Sequence, residues 1–410
     1  MEKTKFKFHY AWLICLLCVI LHGIAVGLAT TSLSCYYPYL QEKIALSHTE
    51  ISLITTIRSI VSTIVLVFGG RFYKKFDIRI GTCIASLFMA FSAFIFSCAN
   101  NVYIIYLAAV IAGISYALGS MLPIAIVLKR WFHSMLGTAV AISACGSALS
   151  ALIVPNLVAK AMSKGLSLST VFRREALVVC VLAAIIFVCM RNNPEDIGLT
   201  AFENGISNVS KKKGSGVTSL TKSETNFLIV TSILVGCLGA PYLNHLTMHY
   251  TTTGFSAEVA AAAFSVSGMS LLVGKFGFGL LTDRFKTKNV NLLFFIVYAI
   301  GCALEITISQ NSPMAILYIA TFMSGIGISL STAGLAIWVG DLCNPEEYEN
   351  MTAKTQFLFS LGTTIWTTVP GIVADLNGGS YKIAFILFFV MIVANAAIVH
   401  KLYSAKEKSC

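Results

Sequence analysis

Charge is scarce in this chain. Asp, Glu, Lys and Arg together make up 11% of its 410 residues, against roughly 25% in an ordinary soluble domain, and so few ionic side chains cannot clothe a water-soluble globule. Catalytic signatures are missing too. There is no H-E-x-x-H, no Walker loop, no G-x-S-x-G and no polar region large enough for a soluble catalytic domain, so an enzyme is not expected. The 12 cysteines are scattered through apolar stretches, and Cys15-Leu-Leu-Cys18 lies in an unbroken hydrophobic run rather than in a loop that wraps a metal. They read as reduced packing residues, and neither a metal nor a cofactor is expected.

What remains is apolar. Hydrophobic residues make up 57% of the chain, and the mean hydropathy is +0.81. Crossing a bilayer takes about 20 apolar residues per helix, and the apolar runs, read against the charged, Gly and Pro punctuation, predict twelve spans. These lie at 10–32, 51–70, 80–99, 102–128, 135–159, 174–190, 225–249, 257–281, 290–309, 313–340, 350–374 and 381–402. The first is too long for a cleaved signal peptide and is expected to stay as a helix. The net charge of +11 is spread between spans instead of forming a nucleic-acid patch. With the N-terminus in the cytosol, 21 of the 29 Lys and Arg fall on the cytosolic side, six in outer loops and two inside helices. This bias predicts a cell-membrane protein with both termini cytosolic, against which the outer loop with Lys160, Lys164, Arg173 and Arg174 is the one exception.

A polar segment at 191–224, holding Lys211-Lys212-Lys213-Gly214-Ser215-Gly216, follows the sixth span. It divides the chain into an N-terminal bundle (1–190), a cytosolic linker (191–224) and a C-terminal bundle (225–410). The halves share landmarks: Gly70-Arg-Phe-Tyr-Lys-Lys75 with Gly279-Leu-Leu-Thr-Asp-Arg284, Ala112-Gly-Ile-Ser115 with Ser324-Gly-Ile-Gly327, and Val154-Pro-Asn-Leu-Val-Ala159 with Val369-Pro-Gly-Ile-Val-Ala374. Their offsets are 209, 212 and 215. The expected fold is therefore an all-α membrane protein with 12 transmembrane helices in two six-helix bundles, a plan in which two lobes rock about a solute near the midplane. Gly325-Ile-Gly327 has no third spaced glycine and reads as helix packing.

The loops Gly70…Lys74-Lys75-Phe76-Asp77 and Gly279…Asp283-Arg284-Phe285-Lys286 resemble the signature of the major facilitator superfamily, with Lys74 in place of an acidic residue in the first copy. Three more passages are similar to its oxalate:formate antiporter and monocarboxylate porter branch. They are Arg130-Trp131-Phe132 opening the fifth span with Gly137 and Ala139 after it, Asn193-Pro194-Glu195-Asp196-Ile197-Gly198-Leu199, and Asp375-Leu-Asn-Gly-Gly-Ser-Tyr381. Two features common elsewhere in the superfamily are absent. The fifth span lacks the Gly-x-x-x-Gly-Pro of efflux pumps, since Ser150 follows Gly146 and the proline is Pro155; and Ala109 replaces the arginine often found four residues before the fourth-span glycine, here Gly113.

Two cations stand inside spans. Arg58 lies about seven residues into the second, roughly 10 Å along a helix. A cation at membrane depth costs at least ~2.5–3.5 kcal/mol and normally faces a cavity or a partner; snorkelling to headgroups or pairing with Glu50 is the alternative to binding an anion. Lys275 lies eight residues before Asp283, roughly 12 Å from the loop. Gly274-Lys275-Phe276-Gly277-Phe278-Gly279 is similar to the eighth-span segment where the branch carries a carboxylate-binding cation. The family residue is arginine, and lysine offers a point charge without the two-pronged geometry; a structural bond, as to Asp341, is the other reading. The eleventh span, Gly362-Thr363-Thr364-Ile365-Trp366, lacks the second cation of dicarboxylate carriers, which favours a monocarboxylate or a larger singly charged anion. Thr364 offers a hydroxyl, although threonine also bonds its own backbone.

Tyr116 and Trp366 are mid-membrane candidates for the path lining, while Tyr36, Tyr37 and Tyr39 read as an interface belt. His22 either relays protons, bonds substrate or is satisfied by a neighbouring helix; His245 and His249 read as wet. Glu305 is the sole carboxylate within a span, near an outer end, so a central proton carrier is lacking and anion exchange is favoured over symport. The expectation is a secondary transporter of small organic anions, acting as a monomer by alternating access. The alternatives are an exporter of amphipathic or sterol-like acids or drugs, and a non-transporting sensor or partner subunit. A fluorescent protein fused to the C-terminus should be bright and an alkaline phosphatase fused there inactive; the reverse pair reverses the orientation.

Overall fold

Backbone N–H and C=O groups in hydrocarbon must be satisfied within the chain, and this sequence meets that demand with helices. The computed structural model describes residues 9–203 and 220–409, with no β-sheet among them. The linker lysines Lys211, Lys212 and Lys213 lie outside the described residues, as do the side chains of Gly70 and Asp283. The first half holds α1 (Tyr10–His22), α2 (Tyr37–Ile44), α3 (His48–Lys75), α4 (Ile78–Ser97), α5 (Val102–Gly119), α6 (Met121–Trp131), α7 (Leu136–Ser163) and α8 (Leu168–Cys189). The second holds α9 (Lys222–Leu238), α10 (Ala240–Thr252), α11 (Ala257–Arg284), α12 (Thr287–Thr307), α13 (Met314–Ile328), α14 (Gly334–Leu342), α15 (Pro345–Trp366), α16 (Val369–Leu376) and α17 (Lys382–Ser409).

These helices compose twelve spans, eleven of them apolar enough by length and composition to cross a membrane. The remaining one, α8, carries Arg173, Arg174 and Glu175 near its start. Five spans are interrupted, which the continuous apolar runs concealed. The first passes from α1 through a π-helical stretch, Gly23–Thr31, and a 3-10 turn, Leu33–Tyr36. The fourth breaks between α5 and α6 at Ser120 (φ −79°, ψ −149°), and the seventh between α9 and α10 at Gly239 (φ −84°, ψ −106°). A 3-10 turn, Ser329–Ser331, interrupts the tenth, and the eleventh steps from α15 to α16. Pro241 and Pro370 sit in the first turn of α10 and α16, where a missing N–H costs nothing because that donor is unpaired in any helix.

By contacts the chain forms two units, one of Met1–Ala29, Ile60–Ser150 and Ser167–Ser210, the other of Thr30–Ser59, Ala151–Leu166 and Lys211–Cys410. In the first, α4 packs on α5 and α8, and a cluster including Ile14, Cys18, Ile124, Leu128 and Trp131 fills the interior. Trp131 Nε1 donates to the Arg191 carbonyl at 3.1 Å. Arg130-Trp131 closes α6 rather than opening the fifth span. In the second unit α12 packs on α13 and α17, and α9 on α15. Leu177, Val178 and Leu280 are over half exposed, as befits side chains of a multi-pass membrane protein that meet acyl chains. Tyr36 and Tyr37 are buried, at 2% and 0% exposure, so they form no interface belt. Of the cysteines, Cys98 and Cys180 are exposed and not packing residues.

The duplication is visible in glycine contacts. A Cβ on Gly146 of α7 would strike the Val19 carbonyl oxygen of α1, and one on Gly362 of α15 would strike the Ile233 carbonyl oxygen of α9. In the reciprocal pair a Cβ on Gly236 would strike the Phe359 carbonyl, and one on Gly23 would sit tightly, 3.3 Å from the Gly146 carbonyl oxygen. Gly146 and Gly362 are 216 residues apart, Gly23 and Gly236 213. The contacts at Gly146, Gly236 and Gly362 let two backbones meet at a distance no larger residue permits. Gly327 likewise packs against Tyr298, and Gly325 against Ser270. Gly146→Ala and Gly362→Ala should each destabilise the protein by about 1–3 kcal/mol, read as a lower melting midpoint in detergent. Gly279→Ala, whose added Cβ meets nothing within 4 Å, should not lower it.

Candidate functional site

Helix α3 starts at His48, so Arg58 stands ten residues in, about 15 Å along the axis. That is half of a ~30 Å hydrocarbon core and deeper than the apolar run suggested, because the polar first turn His48-Thr49-Glu50 is already helical. Arg58 is 3% exposed, which is incompatible with snorkelling to the headgroups. Beside it Tyr37 Oη and Thr55 Oγ1 are 2.7 Å apart. Glu50 is engaged at the helix start, where it accepts the Ser47 N–H at 2.8 Å.

One turn-by-turn polar ladder runs along α3 against α15 and α16. Ser59 Oγ meets Thr364 Oγ1 at 2.8 Å, Thr56 Oγ1 meets Thr368 Oγ1 at 2.5 Å, and Ser52 occupies the space a Cβ on Gly371 would need. At its end Asp375 caps α3 from another helix. The carboxylate accepts the His48 N–H at 3.0 Å, the Thr49 N–H at 2.8 Å and the Thr49 hydroxyl at 2.5 Å. An anion at a helix N-terminus satisfies orphan donors and the dipole together. His48 Nδ1 and Tyr381 Oη lie 3.1 Å apart, with Gly378 and Gly379 turning the chain at φ +64° and +88°. The Asp375…Tyr381 passage thus has a local purpose that the sequence, where it served only as a family landmark, left unread.

Lys275 is half-buried on α11, nine residues before its end at Arg284, about 14 Å up the helix. A Cβ on its neighbour Gly274 would lie 2.8 Å from Ser329 Oγ, so α11 packs there against the 3-10 turn that interrupts the tenth span. Asp341 accepts from Tyr403 Oη at 3.1 Å. Thr364 and Trp366 belong to the same unit as Arg58 and Lys275; Trp366 faces Phe388 with ring centroids 6.5 Å apart. His22 and Tyr116 belong to the other unit. His22 Nδ1 accepts the Ser147 N–H at 3.3 Å, and Tyr116 sits half-buried one turn before the break at Ser120. In the loop motifs, Asp77 caps α4 by accepting the Arg79 N–H at 2.8 Å, Lys75 is exposed 5.9 Å from the Phe76 ring centroid, and Arg284 is exposed at the end of α11.

His245 and His249 are not wet. Both are 0% exposed, enclosed on α10, with Nε2 of each 2.9 Å from a backbone carbonyl oxygen, Thr367 and Glu305 respectively. Glu305 is also fully buried.

The Major Facilitator Superfamily profile matches residues 15–304 and again 246–409. Among relatives, the chain is 25% identical over 368 residues to the MFS transporter asaE of Aspergillus flavus, covering 86% of this chain and 78% of that one. It is 22% identical over 413 residues to Monocarboxylate transporter 12 of Homo sapiens, covering 92% and 77%. A D-xylose-proton symporter structure superposes with a TM-score of 0.73 at 14% identity, over 95% of this chain and 96% of that one.

Removing the Asp375 carboxylate leaves two helix-start donors and the Thr49 hydroxyl without an acceptor. Asp375→Ala should cost this end about 1–3 kcal/mol, a factor of about 5–150, measured as faster amide hydrogen exchange in the first turn of α3. Unchanged exchange would show that the cap holds nothing.

Proposed function

Because the chain belongs to the Major Facilitator Superfamily and is a multi-pass secondary transporter, we propose that it carries small organic anions, favouring monocarboxylates, by alternating access, in the manner of the oxalate:formate antiporter and monocarboxylate porter branch. The observation that carries this reading is a pair of cations at mid-membrane depth in one packed unit: Arg58, buried, and Lys275, half-buried. A cation at that depth normally faces a cavity or a partner, and a carboxylate cargo is a group that such cations attract. Gly274, next to Lys275, packs on the 3-10 turn that interrupts the tenth span, and discontinuous helices of transporters gather binding groups. Ser59 and Thr364, bonded to each other, add hydroxyls on the helices of Arg58 and Trp366 in the same unit. The relative named for monocarboxylates favours the same class.

Exchange follows from the electrostatics. A cationic site without its anion resists enclosure in a low dielectric, and a bound anion relieves that cost. We place the protein in the cell membrane, working as a monomer with two six-helix lobes (1–190 and 225–410), the linker and both termini being cytosolic.

Counterflow of radiolabelled pyruvate, lactate and oxalate in proteoliposomes tests this. Lys275→Ala should abolish uptake while leaving the melting midpoint unchanged, and Lys275→Arg should retain part of it. Full transport by the alanine variant, or no uptake of any of the three by the wild type, overturns the reading.

A further inference from the structure

Glu305 sits in a pocket built by three helices. Its Oε2 accepts from Tyr242 Oη of α10 at 2.5 Å, and its Oε1 lies 2.8 Å from Ser324 Oγ of α13 and 3.3 Å from Tyr250 Oη of α10. Its own carbonyl bonds His249 Nε2 at 2.9 Å. Among the described residues its carboxyl group is hydrogen-bonded by the hydroxyls of Tyr242, Tyr250 and Ser324, and a buried carboxylate charge without a bonded cation costs several kcal/mol.

Hydroxyl geometry provides for both protonation states. Tyr250 Oη is 2.6 Å from Thr321 Oγ1, which in turn lies 2.9 Å from the Leu317 carbonyl oxygen. When Thr321 donates to Leu317, the single phenolic hydrogen of Tyr250 goes to Thr321. Tyr250 then presents an oxygen to Oε1, and that contact is a hydrogen bond only if Oε1 carries a proton. When Thr321 turns its hydrogen to Tyr250, Tyr250 donates to an ionised Glu305 instead. Two rotating hydroxyls thus switch the pocket between acid and carboxylate.

A line of titratable groups leads to this pocket. His249 and His245, one turn apart on α10, each give Nε2–H to a carbonyl, which leaves Nδ1 as the basic atom, and among the described residues neither Nδ1 has a hydrogen-bond partner. The His245 and Tyr381 ring centroids are 5.5 Å apart, and Tyr381 reaches His48 at 3.1 Å, at the start of α3 beside exposed Thr49 hydrogen bonds to Asp375. Cys302 and Tyr298 on α12 also face Glu305, and Lys382 on α17 faces His249.

We propose that Glu305 is a proton-binding site, reached through His245 and His249, whose protonation ties α10 to α12 and α13. The proton adds to a carboxylate oxygen to form an O–H and leaves by the same atom, so α10 is bound most firmly when the acid is neutral. The inference does not rest on the anion reading. Full-length protein in lipid nanodiscs tests it without any substrate. The infrared carbonyl band of a protonated carboxylic acid should be present in the wild type, lost in Glu305→Gln and shifted in Tyr250→Phe. Amide exchange in peptides covering α10 should quicken as pH rises in the wild type, beyond the chemical rate, and stay slow in Glu305→Gln, where the amide mimics the acid. His245→Phe should delay the band's return after a jump to acid pH without altering its final height. Identical infrared bands in wild type and Glu305→Gln, or the same pH response of α10 in both, overturns the site; an undelayed band in His245→Phe overturns the route.

Discussion

A bilayer interior has no water to lend a polar side chain, so each one must find its partner in the protein. Ser and Thr meet that demand largely through their own helices, as Ser52 does with the His48 carbonyl at 2.8 Å and Thr367 with that of Thr363 at 2.6 Å. Groups too large or too charged for this solution bind other helices. Asp375 takes the open end of α3, Glu305 takes hydroxyls from α10 and α13, and His245 and His249 take backbone carbonyls exposed where helices break or end. The same demand explains the glycines, because helices that associate without a hydrophobic drive gain by bringing their backbones close.

The spans were readable because apolar length alone specifies them. Their interruptions were not, since an apolar run looks the same on either side of a break. The marks were present as a helix-permissive glycine or threonine followed within a few residues by proline: Gly119…Pro123, Gly239…Pro241 and Thr368…Pro370. Only tertiary contact decides whether such a proline kinks a span or starts a new helix, and here it stands near the start of the second segment.

For the site, Arg58 and Lys275 were conspicuous as cations within apolar runs. The polar ladder was not conspicuous, because its members are unremarkable hydroxyls separated by more than 300 residues: 312 between Thr56 and Thr368, 327 between His48 and Asp375. Glu305 stood out by type, yet its setting is assembled from Tyr242, Tyr250 and Ser324, which no spacing links. His245 and His249 misled because they lie toward the end of an apolar run, which usually means water; α10 is instead covered along almost its whole length by α9, α11, α2 and the turn at Leu33–Tyr36.

The hydroxyl ladder also determines how easily its two sides can part. Thr56 reaches the Ser52 carbonyl at 3.3 Å while it touches Thr368, and Ser52 bonds the His48 carbonyl of its own helix at 2.8 Å where it meets Gly371. Pulled apart, such groups fall back on an acceptor they already hold, leaving nothing stranded. A seam sewn this way reopens and reseals many times with little resistance, and its grip is concentrated in the single carboxylate stitch at its end.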